Sequence, residues 1–88
     1  MGYVTHSIMA RIEWCRRKRT RAQGQREFEE WHAEEDGLRD ALLNRDHSKQ
    51  YRYGARGIFV RYLMGLEEGR DLIRVDAVGR QFRHTGNE

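Results

Sequence analysis

The apolar positions of this chain recur at helical spacing over most of its length. Ile8, Ile12, Cys15 and Ala22 share one stripe, and Thr5 or Ser7 just ahead of it can cap a helix by accepting a backbone N–H bond. Continued, that stripe would run through Arg19 and Arg26, which do not suit a core, while Phe28 and Trp31 lie on another face. The register therefore breaks, and Gly24 is the natural place for a bend or a boundary. The pattern predicts either one bent helix to about residue 35 or two helices meeting near Gly24. Asp36-Gly37 reads as a stop, with Gly37 taking the left-handed conformation that ends helices. Leu38, Ala41, Leu42 and Leu43 then predict a short helix, and Asn44–Ser48 a polar turn in which Asp46 or Ser48 caps the next element.

The clearest periodicity is C-terminal. Ala55, Ile58, Tyr62, Leu66, Gly69, Ile73 and Ala77 step by three and four, with Phe59 and Leu63 widening the stripe. They predict a long helix from about Lys49 or Arg56 to about Phe82, with Asp76 and Arg80 paired along it. Tyr51, Arg52 and Tyr53, and the alternation from Ile73 to Ala77, also fit β-structure, but the three-four pattern runs longer. Gly65 and Gly69 either let a second helix approach closely or weaken this one. The expected architecture is all-α: a compact single-domain bundle of three to four helices over residues 1–88, with residues 1–6 and 84–88 loose.

Composition sharpens this picture at three points. There is no proline among the 88 residues, which favours long uninterrupted helices. The one cysteine, Cys15, excludes an internal disulfide, suits a reducing cytosol and lines up with Ile8 and Ile12 as a buried structural thiol. No apolar run approaches a membrane span, and the N-terminus lacks a signal-peptide pattern, so the chain reads as soluble, cytoplasmic and without a membrane partner. Met9 could serve as an alternative start.

Charge changes the picture most. The net charge of +3 conceals a sharp polarity: Arg11 to Arg26 holds seven Arg and Lys against Glu13 alone, and Glu27 to Asp36 holds six acids and no cation. A basic patch attracts phosphates or acidic protein surfaces, and neighbouring acids restrict which partners fit. On a helix Arg11, Trp14, Lys18 and Arg21 share a face, with Arg17 alongside. An indole among cations can stack on a base while the cations hold phosphates, or it can anchor in an acidic protein groove. It can equally pack on a neighbouring helix under the arginine stems. The acid run, with Glu27, Glu30 and Glu34 on one face, is a solvated and internally paired surface or a zone that repels nucleic acid. A second cationic-aromatic surface comprises Tyr51, Arg52, Tyr53, Arg56 and Arg61, beside Tyr62. Its glycines, Gly54 and Gly57, match no nucleotide-binding fingerprint, and the tyrosines equally suit the edge of a core. His6, His32, His47 and His84 are scattered without metal-ligand spacing, and Trp31-His32 with Glu34 and Glu35 lacks a nucleophile or oxyanion site. The sequence thus points to no catalytic residue, no metal and no cofactor.

Arg26-Glu27-Phe28 followed by GIFVRYLMGLEEGRDLI (Gly57–Ile73) resembles small accessory proteins of tailed bacteriophages, which carry an Arg-Glu-aromatic stretch and then a C-terminal helix with a Gly-Leu step and a downstream Ile. The resemblance spans about half the chain and leaves out Arg11–Arg21. It implies a viral class of small folds that bind and block a host machine in the host cytoplasm, such as a nuclease, a polymerase or a CRISPR complex. The leading expectation is therefore a non-enzymatic inhibitor of a host protein or nucleoprotein complex, acting through Arg11, Trp14, Arg17, Lys18 and Arg21. The alternatives are a small DNA- or RNA-binding protein using the same residues, and a self-associating virion or assembly component, with a homodimer left open.

Overall fold

A computed structural model describes the backbone of residues 3–86 and the side chains of residues 7–75. Four helices follow in order: α1 (Tyr3–Thr20), α2 (Gln25–Leu42), α3 (Ser48–Tyr51) and α4 (Arg56–Gly86). Among the described residues no strand forms, and the 72–82 region is helical. The Asp76–Arg80 pair and Ala77 lie outside the described side chains. α1 begins at Tyr3, ahead of both expected caps, and α4 runs through 84–86, where the sequence predicts a loose tail.

Gly24 separates two helices. α1 ends as Thr20 Oγ1 donates to the Arg16 carbonyl at 2.9 Å, with Arg17, Lys18 and Arg19 in its last turn, where cations suit the helix dipole. Gly24 then takes an extended conformation (φ −162°, ψ 167°) as the N-cap of α2, offering no side-chain cap. Glu27 reaches back to accept the Gln23 N–H at 3.1 Å, which satisfies one donor at this helix start.

The stop expected at Asp36-Gly37 does not occur, and Leu38–Leu43 is no separate helix, because α2 continues to Leu42. Its terminator is Asn44, in the left-handed region at φ 56°. Arg45 N–H donates to the Asp40 carbonyl (2.7 Å) and Asn44 N–H to that of Ala41 (3.3 Å). This is a Schellman ending, with asparagine in the position glycine usually takes. In the turn that follows, Asp46 Oδ1 accepts the Ser48 N–H at 2.8 Å just ahead of α3, but the N-cap is His47, with no side-chain cap, rather than Asp46 or Ser48.

Gly37 is needed for packing. A Cβ there would collide with the Tyr62 carbonyl oxygen, and one on Gly65 would collide with that of Glu34. A Cβ on Gly69 would meet Ala41 at 2.6 Å. These contacts, with Arg61 on Glu30 and Glu34, rise together along both helices, so α2 and α4 run parallel and nearly in backbone contact. The α3 segment returns the chain between them, and α1 lies antiparallel to α2. Ile8, Ile12, Cys15, Ala33, Leu38, Ala41, Tyr62 and Leu66 form the core at the junction of the three long helices. Ile58 and Ile73 pack against it, as their spacing predicts.

Candidate partner-binding surface

The α1 face predicted to meet a partner divides in two. Its inner half turns toward the bundle. The Arg11 guanidinium lies 3.9 Å from the Trp14 ring centroid, and Trp14 meets Trp31 of α2 edge-to-face at 5.1 Å. The Arg61 guanidinium lies 4.3 Å from the Trp31 ring centroid. The ladder Arg11–Trp14–Trp31–Arg61 thus crosses from α1 through α2 to α4. Glu34, buried behind it, closes the ring: it accepts from Arg61 Nε at 3.0 Å and lies 3.7 Å from Arg11 Nη2.

Arg11 Nε also lies 2.8 Å from Glu68 Oε2, an ion pair whose N–H is not aligned as a hydrogen bond. Burial holds the Glu68 carboxyl above its ordinary value and Glu34 adds repulsion, with Arg11 opposing both. Glu35, equally buried, accepts from Arg39 Nη2 at 2.7 Å, with Arg19 3.4 Å away. The opposed charge runs of the sequence are therefore partly spent on each other across the α1–α2 pair, with α4 supplying Arg61. Cys15 sits beneath this network, and burial first, then the Glu34 charge, push its thiol up to about 12. It is a structural thiol.

The outer half of the α1 face points to solvent. Arg17, Lys18 and Arg21 are exposed and carry no ion pair among the described residues; Lys18 Nζ stands 5.3 Å from the Trp14 ring centroid. Because α2 and α4 are parallel, both of their N-termini lie at the end of the bundle where α1 finishes, so two positive dipole ends accompany these cations. Arg26 lies beside Gly57 at the same end, next to exposed Arg56. The loop before α4 adds exposed Arg52 and Tyr53, the latter 87% accessible. Of the second predicted surface, Arg52, Tyr53 and Arg56 are accessible, whereas Arg61 belongs to the ladder and Tyr51 faces inward.

Tyr51 belongs to a third cluster. Its ring stacks on Tyr62 at 4.3 Å and its hydroxyl donates to Asp36 Oδ2 at 2.5 Å. The Tyr62 hydroxyl donates to Asp40 Oδ2 at 2.6 Å and accepts the His47 N–H at 2.7 Å. His47 Nδ1 stands 2.7 Å from the same carboxylate oxygen; a carboxylate only accepts, so Nδ1 carries the proton. Burial first, then these carboxylates, raise both phenols above their usual range. Asp36, Asp40, His47 and Tyr51 border an open cleft of about 460 Å³ beside α3, and with Tyr62 the groups satisfy one another, so they lock the returning segment onto α2 and α4. No group of three or more His, Cys, Asp or Glu among the described residues can hold a metal ion.

Sequence reasoning missed Trp31 as Trp14's partner and Glu34 as the shared counter-ion. The signal available was that Trp31 and Glu34 are one turn apart on α2, the spacing at which Arg11 and Trp14 sit on α1. Comparison of the chain with protein-family models, with curated proteins and with solved structures finds no match.

Proposed function

We propose that this chain is a non-enzymatic binding protein that captures a protein or nucleoprotein partner through the cationic end of the bundle. Arg17, Lys18 and Arg21 would be the primary contacts, with Arg52, Tyr53 and Arg56 beside them. One observation carries the reading: among the described residues these α1 cations remain exposed and without an ion pair, although acids elsewhere on the chain neutralise Arg11, Arg19 and Arg61. Trp14 supports it from within. Arg11 covers the indole, which therefore suits a rigid support for a protein interface better than a platform for a nucleobase. No helix among the described residues is long and apolar enough to cross a membrane. The resemblance to phage accessory proteins makes a host nuclease, polymerase or CRISPR complex the partner class to try first.

The test is affinity capture from host lysate with the wild-type protein and an Arg17→Glu/Lys18→Glu/Arg21→Glu variant, alongside titration with labelled DNA and RNA at low and physiological salt. The expected result is a captured protein lost by at least tenfold in the variant at unchanged helicity. Unchanged capture overturns the site. Saturable nucleic-acid binding at physiological salt, lost on Trp14→Ala, transfers the surface to a nucleic-acid partner.

A further inference from the structure

A helix on the surface of a bundle needs one apolar stripe, and α4 has two. The stripe through Ile58, Tyr62, Leu66 and Ile73 faces the core. On the opposite side Val60, Met64, Glu67, Asp71 and Val75 recur at steps of three and four, with Leu63 beside Met64 widening the stripe. Their apolar members are open to solvent: Met64 is 51% and Val75 62% exposed, with Val60 and Leu63 also exposed. Core packing does not account for them, because Tyr62, Leu66 and the glycines on the other side of the same helix provide it.

The stripe borders a groove of about 510 Å³, whose wall includes Met64, Leu72 and Val75. Glu34, Glu67, Glu68 and Asp71 also line it, against one cation, Arg11. Arg11 is already shared by Glu34 and Glu68. Glu67 carries no ion pair among the described residues, and Asp71 has only Arg74, which is exposed at the rim. The groove therefore offers apolar contact flanked by more carboxylates than cations, and among the described residues Glu67 has no ion pair, whereas Glu34, Glu68 and Asp71 share Arg11, Arg61 and Arg74.

We propose that this face of α4 is a second docking surface, which takes a basic amphipathic helix from a partner protein. Charge decides the occupant. The carboxylates repel nucleic acid and anionic lipid, and they favour a helix whose apolar stripe is edged by Lys or Arg. From Val60 to Val75 the stripe extends about 22 Å, which matches a partner helix of about 15 residues. Met64 gives it an adaptable apolar contact. The surface is opposite in sign to the cationic end and rests on different residues, so it stands independently of the function proposed above. The chain would hold two unlike partners at once.

The test titrates the full chain, at physiological salt, with a fluorescent 15-residue helical peptide of leucine and lysine in an amphipathic pattern, at about the length derived from the helical rise. The comparison is a scrambled peptide of identical composition with no stripe. Saturable binding of the patterned peptide, at least tenfold tighter than the scrambled one and tenfold weaker with Glu67→Lys/Val75→Asp, is the expected result. Equal binding of both peptides, or none, overturns the proposal, and this comparison needs no variant to fold. Concentration-dependent self-association of the wild-type chain, abolished in the variant, overturns it in favour of a second copy as occupant. Arg17→Glu/Lys18→Glu/Arg21→Glu should leave peptide binding intact, which separates this surface from the cationic end.

Discussion

Single side chains in this molecule matter most where a charge is buried. Glu34 serves Arg11 and Arg61 together, so Glu34→Gln takes a buried counter-ion from two arginines at once, leaving Arg11 to Glu68 and Arg61 to Glu30. We expect a loss of about 3 kcal/mol in urea unfolding, toward the low end for a broken buried pair because both arginines reach solvent. Tyr62 is the second such point. Tyr62→Phe removes the donor to Asp40 and the acceptor of the His47 N–H, and it should cost about 1–3 kcal/mol by the same measurement. The raised groups also set a pH dependence. Cys15, from 9.0 to about 12, and Tyr51 and Tyr62, both above 10.0, hold their protons longer in the folded state than in the unfolded one. Their contribution is complete below pH 9 and is lost as the pH rises from there through the folded-state values. Melting temperature followed from about pH 8 to about 12 should fall across that window, with a smaller fall in Tyr62→Phe. Of these residues, the burial of Cys15 could be read from its place in line with Ile8 and Ile12. That of Glu34 and Glu35 could not, because a run of acids has the pattern of a solvated face until the opposing arginines are known to meet it.

Among the helices, the glycines divide by what surrounds them. Gly65→Ala would drive a Cβ into the α2 backbone, which cannot yield as a flexible side chain can, so α2 and α4 must separate. We expect at least about 3 kcal/mol of destabilisation or loss of cooperative melting. Gly24 has open space for 4 Å around the position a Cβ would take, and no side-chain cap. Gly24→Asp should therefore gain a few tenths of a kcal/mol, read as a small rise in melting temperature. The break at Gly24 and the close approach at Gly65 and Gly69 were each one of two readings the sequence offered, since loss of register and four-residue glycine spacing are local patterns that a bent helix or a weak one shares. Gly37 was misread for a physical reason: a glycine that ends a helix and one that admits a neighbouring backbone look alike until the neighbour is known. Asn44, the actual terminator, was hidden in a polar turn where several residues tolerate a left-handed backbone.

For the whole molecule, the sequence announced a charge polarity and the fold divides it. Part is consumed where α1 meets α2, and the remainder is left at the end where α1 finishes. Residue spacing on α1 located the exposed half, Arg17, Lys18 and Arg21. It could not separate these from Arg11 and Trp14, because a single helix does not reveal which of its neighbours will cover it. The parallel arrangement of α2 and α4 has a kinetic consequence. Two helices joined by a tight turn meet through contacts close in sequence, as α1 and α2 do, whereas Gly37 and Gly65 meet only after the whole α3 segment has been reeled in. The slow event in folding should therefore be docking of α4, late and non-local, onto an α1–α2 hairpin already formed. Substitutions at the Trp14–Trp31 contact would then slow folding, while those at Ile73 would mainly hasten unfolding.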